Sequence, residues 1–116
     1  MTSGLNRDQL VSFANSRRNE FEDLLRRFVE TPTVSVDPAH AGDIQKGLGL
    51  VVETFKKFGG RPEIHATNKG NPVVHAVFDS GQNRPTVTVY NHMDVQPASR
   101  ETEPWDTDPF VMVTKG

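Results

Sequence analysis

A chain of 116 residues is one domain or a piece of one, long enough to bury about two thirds of the surface its unfolded form exposes. Its 13 Lys and Arg against 15 Asp and Glu leave a net charge of −2, which gives no electrostatic reason to expect a nucleic-acid partner or an anionic membrane. No cysteine is present, so a disulfide framework is excluded and any metal site must be built from histidine and carboxylates.

Met1 to Asn6 is a short polar lead without a basic start or an apolar run. It has no signal-peptide character, nothing in the sequence approaches a membrane span, and a cytoplasmic location is the default expectation. From about Arg7 to Glu30 apolar residues recur at three- and four-residue steps: Leu10, Ala14, Phe21, Leu24, Leu25 and Phe28. That period predicts an amphipathic helix, with a weak break at Asn15-Ser16. Arg17, Arg18, Arg26 and Arg27 read as a solvated face paired with Glu20, Glu22 and Asp23 rather than as a basic binding patch.

Thr31 to Pro38 carries two prolines and the β-branched Thr31, Thr33, Val34 and Val36, and is expected to be extended. Asp37-Pro38 then supplies an N-cap and a favoured first helical residue. The second helix is expected over 38–58, with Ile44, Leu48, Val51, Val52, Phe55 and Phe58 as its buried stripe and Gly59-Gly60 as a left-handed end. Gly47 and Gly49 each weaken that helix by roughly 1 kcal/mol relative to alanine. Close packing against a sheet would account for them.

Beyond the glycines the period changes to that of strands. Arg61 to Ala66 and Pro72 to Asp79 predict a hairpin around Asn68–Asn71. Pro85 to His92 predicts a third strand, with Val87 to Asn91 in the interior of the sheet and His92 at its carboxyl end. Phe110 to Val113 is a fourth apolar run. Trp105 and Phe110, with their prolines, are expected to pin an irregular loop onto the core. Glu101, Glu103, Asp106 and Asp108 read as solvated charges, because no ligand spacing links them. The whole predicts an α/β fold, a mixed β-sheet flanked by helices. An apolar run entering a turn at Thr-Lys-Gly, with no partner strand after it, reads as a piece cut from a longer protein.

The stretch that carries chemistry is Val87-Thr-Val-Tyr-Asn-His92-Met-Asp94-Val-Gln-Pro97. Residues i and i+2 of a strand share a face, so His92 and Asp94 are expected side by side. A metal-bound imidazole gives its other ring N–H to a carboxylate or carbonyl, which fixes its tautomer, and Asp94 is placed to be that partner or a direct ligand. Taken alone, the tripeptide reads more plainly as a strand-end histidine bonded to a local aspartate. His40, His65 and His75 read as structural, since none has an acidic neighbour at a metal-ligand spacing.

His92-Met-Asp94-Val-Gln-Pro97, followed by Glu-Pro-Trp105-Asp-Thr-Asp-Pro-Phe110 and preceded by Phe28-Val-Glu-Thr-Pro-Thr-Val-Ser35, resembles the zinc-dependent exopeptidases and amide hydrolases. That family takes in carnosine-type dipeptidases, carboxypeptidase G, acetylornithine deacetylase and succinyl-diaminopimelate desuccinylase. The resemblance covers nearly the whole chain and implies the N-terminal part of a catalytic domain, residues 1–116. It implies two zinc ions bridged by a carboxylate and a water, with cobalt or manganese as alternatives. His92 matches the first metal ligand and Asp94 the catalytic aspartate that orients it. Asn91 stands where many members carry Gly or Ser. The implied substrates are dipeptides, or N-acyl amino acids in a deacylase branch, and the implied full-length protein is a homodimer. The family's Gly-Arg-Gly-x-x-Asp segment, its general-base glutamate, its remaining ligands and its dimerisation domain do not occur up to Gly116. The 116 residues alone are therefore expected to be inactive and to bind zinc weakly. The other reading of the sequence is a stand-alone α/β module that binds or assembles without catalysis.

Overall fold

The computed structural model describes residues 4–116; Met1 to Ser3 of the polar lead lie outside the described residues. Two helices replace the single one expected over 7–30. Helix α1 spans Arg7–Ser16 and α2 spans Arg18–Val29. Asn6 starts α1 with a reciprocal cap: its side chain accepts from Gln9 N at 2.9 Å while Gln9 Oε1 accepts from Asn6 N at 3.0 Å. The break falls at Arg17, one residue past the predicted site. Ser16 Oγ bonds back to the Phe13 carbonyl at 2.7 Å, the local competition that makes serine a poor helix-interior residue. Pro32 ends the helical run by forcing Thr31 out of the helical region. The Thr31 hydroxyl donates to the Arg27 carbonyl at 2.7 Å.

The predicted apolar stripe of the first helix is not a core. Leu10, Phe21 and Leu25 stand exposed, and neither α1 nor α2 has a buried residue. Of the predicted stripe only Leu24 and Phe28 are half-buried, Phe28 beside the α3 residues Ile44, Leu48 and Phe55, so the face is covered at one end alone. The arginines form a solvated, ion-paired face as expected, with partners that differ in part: Arg17 pairs with Glu20 and Arg18 with Glu22, while Arg26 takes Glu30 and Arg27 takes Glu53 in place of the expected Asp23.

Asp37 caps a short 3-10 turn over Pro38–His40 by accepting from Ala39 N at 2.9 Å. Helix α3 follows over Ala41–Lys57. Its end has the predicted glycine form. Gly59 has φ +85°, its N–H donates to Lys56 O at 3.0 Å, and Gly60 N–H donates to Phe55 O at 2.8 Å. α3 carries most of the core. Ile44, Leu48 and Leu50 are buried with Val34, each contributing roughly 1.5–3 kcal/mol relative to exposure. Val51, Val52 and Phe55 are half-buried, and Phe58 is exposed. Gly47 does pack closely, though not against a sheet: a Cβ there would lie 2.6 Å from Thr33 Cγ2 and 2.9 Å from Met93 Sδ. Gly49 faces open space.

The hairpin forms as expected. Strands β1 (Arg61–His65) and β2 (Val73–Val77) pair antiparallel with Glu63 opposite His75. The Thr67 hydroxyl organises the turn, accepting from Gly70 N at 3.1 Å and donating to Asn71 O at 3.1 Å. Phe78 meets Phe55 of α3 edge to face, with ring centroids 5.6 Å apart.

The third and fourth predicted strands depart from expectation. Residues 85–92 form no ladder, and Val87, Val89 and Tyr90 are 81%, 74% and 88% exposed rather than interior. A strand exists only where a neighbour accepts and donates its backbone hydrogen bonds. Among the described residues none lies alongside. Residues 110–113 likewise form no strand. Arg26 Nη1 donates to Met112 O at 2.9 Å and Glu30 Oε1 accepts from Met112 N at 3.3 Å, so α2 side chains stand where a neighbouring strand would. Trp105 does not pin its loop to the core; the residue is 47% exposed and its indole N–H donates to Glu103 at 2.6 Å. The radius of gyration is 17.5 Å, against about 13 Å for a compact domain of this length.

Candidate functional site

The segment after α2 builds the site. The segment 31–38 is not extended throughout as expected: Ser35 and Val36 form a turn that Asp37 N–H closes onto Val34 O at 3.3 Å, and on either side of Val34 the Thr33 and Ser35 side chains reach toward 93–95. The Thr33 hydroxyl donates to the Met93 carbonyl at 3.0 Å, and Val95 N–H donates to the Thr33 carbonyl at 3.0 Å. Val34 and Val95 form an isolated parallel bridge here, with Val34 buried beneath it. Met93 packs into the notch left by Gly47 of α3. The His-x-Asp motif is therefore held by its alternate residues: Met93 goes into the core and leaves His92 and Asp94 directed outward.

His92 and Asp94 meet, though not by the expected bond. His92 Nδ1 is 2.9 Å from the Asp94 backbone carbonyl, a hydrogen bond that requires the proton on Nδ1. The Asp94 carboxylate is farther, with Oδ1 at 3.3 Å from Nδ1. The carbonyl is the hydrogen-bond acceptor, and the carboxylate acts as a neighbouring charge. The second carboxylate oxygen, Oδ2, accepts from the Ser35 hydroxyl at 2.7 Å. That bond is the main cause that holds Asp94 below the ordinary carboxylate range. Partial burial works against it, and the nearby His92 imidazole adds a further lowering.

With Nδ1 engaged, Nε2 of His92 makes no hydrogen bond among the described residues, and the side chain is 74% exposed. An imidazole tied at Nδ1 to a carbonyl and open at Nε2 is arranged as metal-binding histidines are. Asp94 can add a carboxylate oxygen. Beyond this pair, no group of three or more His, Asp or Glu is assembled for a metal among the described residues.

The pair stands at the rim of a cleft of about 610 Å³. Ile44, Leu48, Val51 and Phe55 of α3 and Val73 and Val74 of β2 form its apolar walls, while Ser35, Asn91, His92 and Asp94 give one polar edge. An apolar cleft with a few convergent polar groups is the usual form of a small-molecule site.

The other histidines lie elsewhere. His40 Nδ1 is 2.8 Å from Asp43 at the start of α3. His65 and His75 face each other on the hairpin with ring centroids 6.3 Å apart, and His65 is 3.5 Å from Glu63. Two members of the site, Thr33 and Ser35, were not singled out as functional from sequence. The available signal was only two hydroxyl residues between two prolines, since the turn at Ser35-Val36 that aims the second of them depends on the fold.

No family model matches the chain. Individual proteins do. The Cys-Gly metallodipeptidase of Schizosaccharomyces pombe is 32% identical over 114 residues, covering 90% of this chain and 24% of that protein. Over most of its own length the chain is similar to metallodipeptidases. The mouse beta-Ala-His dipeptidase is 27% identical over 117 residues, again 90% of this chain and 24% of the relative. A solved structure of a Saccharomyces cerevisiae dipeptidase superposes with a TM-score of 0.77 at 28% identity, covering 85% of this chain and 23% of that one. The metallodipeptidase homology and this fold likeness agree with the α/β class expected from sequence. The chain spans about a quarter of the length of the curated relatives it matches. No helix of the described residues is long and apolar enough to cross a membrane.

Proposed function

We propose that these residues form the N-terminal part of the catalytic domain of a metal-dependent dipeptidase, residues 1–116 of a longer cytoplasmic, homodimeric protein. The observation that carries the reading is the state of His92. Its Nδ1 is fixed by the Asp94 carbonyl at 2.9 Å, and its Nε2 is free at the edge of an apolar cleft. Homology to metallodipeptidases supports the reaction class. The exposed Val87, Val89 and Tyr90 support the domain assignment, since strand-forming residues of this kind are covered when further strands pair with them.

In this reading His92 Nε2 is one ligand of a zinc centre, and Asp94 holds the imidazole in the Nδ1–H form. The donor set fits: imidazole and carboxylate without thiol suit zinc, with cobalt or manganese as substitutes. A metal held there would supply polarisation of an amide carbonyl and a nucleophilic water near neutral pH. The chain's own contributions are to keep the proton on Nδ1, to present a negative charge behind the imidazole, and to offer an apolar wall to the dipeptide. The other ligands and the general base come from elsewhere in the longer protein, so the 116 residues alone bind zinc weakly and turn over no dipeptide.

The test is His92→Ala in the longer protein, with metal content and hydrolysis of Cys-Gly and β-Ala-His measured together. Both are expected to fall to background. Retained metal with retained turnover would place the site elsewhere.

A further inference from the structure

We infer that Ser35 is a positioning residue for this centre, acting on His92 through Asp94; the inference rests on the reading of His92 as a metal ligand. The Asp94 side chain is 48% exposed and would otherwise rotate freely. The Ser35 hydroxyl donates to Oδ2 at 2.7 Å, which leaves Oδ1 as the oxygen turned to His92 Nδ1, at 3.3 Å. A second link runs through the backbone. The peptide unit between Asp94 and Val95 donates its N–H to Thr33 O at 3.0 Å and accepts from His92 Nδ1 at 2.9 Å. The segment 33–35 thus fixes the carbonyl and the carboxylate that together face one ring nitrogen. Of the two links, only the one through Ser35 depends on a side chain that substitution can remove without touching the motif.

The link has a chemical consequence. A carboxylate held beside Nδ1 favours the tautomer with the proton on Nδ1, and that tautomer presents the Nε2 lone pair to a metal. When the carboxylate turns away, the imidazole loses that bias and spends more time protonated on Nε2, where it cannot ligate.

The experiment is nitrogen-15 NMR of the His92 ring in the 116-residue chain above the imidazole pKa, followed by titration with Zn2+ alone. In the unsubstituted chain the Nδ1–H form is expected to dominate, and Zn2+ is expected to shift the His92 signals. Ser35→Ala should raise the Nε2–H fraction and weaken the zinc response by about tenfold, the lower end of losses seen when outer partners of a ligand are removed. Ser35→Thr keeps the hydroxyl and should restore both. In an Asp94→Ala background, Ser35→Ala should add nothing, since the two act in series. The Thr33-to-Val95 contact, followed by amide exchange, reports whether a variant keeps its fold. An unchanged tautomer ratio in folded Ser35→Ala, or an undiminished effect without Asp94, would overturn the inference. Failure of Zn2+ to perturb His92 in the unsubstituted chain would sink the metal reading instead, and the tautomer ratio would still decide the role of Ser35.

Discussion

Gly47 and Gly49 sit two residues apart in α3, and the structure assigns opposite signs to the same substitution at the two positions. A methyl at Gly47 would lie 2.6 Å from Thr33 Cγ2, 2.9 Å from Met93 Sδ and 3.2 Å from Met93 Cε. Alanine brings about 1 kcal/mol of helix propensity over glycine. Overpacking a filled site costs about 1–3 kcal/mol. Met93 is flexible and can yield, but Thr33 is β-branched, and turning it breaks its hydroxyl bond to Met93 O at 3.0 Å. Losing that bond costs a further ~0.5–1.5 kcal/mol. The net expectation for Gly47→Ala is destabilisation by about 0.5–3.5 kcal/mol. At Gly49 nothing lies within 4 Å, so only the propensity gain remains and Gly49→Ala should stabilise by up to about 1 kcal/mol. Urea unfolding of the two variants beside the unsubstituted chain measures both signs. Because Met93 lies between His92 and Asp94, Gly47→Ala should also perturb the His92 ring signals, while Gly49→Ala leaves them alone. Equal stabilisation by the two substitutions would refute the packing of 33–35 against α3, and with it the support beneath the site.

Asp94 carries a pH prediction. Its ordinary value is 3.8 and the fold lowers it, so the stability it contributes is present above 3.8 and is lost as pH falls through the lower folded value. The contribution is small because half the side chain is in water; the readout is the carboxyl carbon shift, whose midpoint should rise toward 3.8 in Ser35→Ala, and an unmoved midpoint would deny that bond its effect. The run of Val87, Val89 and Tyr90 is extended, apolar and unpaired, so the 116-residue chain should self-associate as its concentration rises. Sedimentation should show this, with Val89→Lys reducing it; a strict monomer at high concentration would contradict it. In the longer protein, Asp94→Ala should lower metal affinity or activity by about 10–100-fold, and unchanged metal content with unchanged turnover would remove its orienting role.

The elements whose stability is local were legible in the sequence. Asp37-Pro38 starts a helical turn, Gly59-Gly60 ends a helix, and the hairpin forms around its Asn-Lys-Gly-Asn turn, because caps and turns depend on a few adjacent residues. The elements that need a distant partner were not. Residues 7–29 have the period of a buried helix face, and 85–92 have the composition of an interior strand, yet a pattern states only that a partner is wanted. It does not say that one lies within these residues. The split at Arg17 shows the same limit on a small scale, because the Ser16 back-bond to Phe13 marks a weak point without fixing which residue yields.

The site divides along the same line. The nearness of His92 and Asp94 was expected from their i, i+2 spacing, while their proposed role came from the resemblance of the longer motif, since the tripeptide alone read as structural. Their partner could not be named, since Ser35 is 59 positions earlier and a serine in a turn says nothing chemical by itself. What selects it is the bridge from Val34 to Val95, a contact between distant segments whose register decides which hydroxyl meets which carboxylate. A shift of one residue would bring the buried Val34 side chain to Asp94 in place of Ser35, exchanging a donor for a methyl and leaving the carboxylate without its hydrogen bond. The register is itself set by the core, through Val34 beneath the bridge and Met93 against Gly47. The polar geometry of the site is thus a consequence of apolar packing on the far side of the same short strip. For that reason a methyl added at Gly47, which touches neither His92 nor Asp94, is expected to disturb them both.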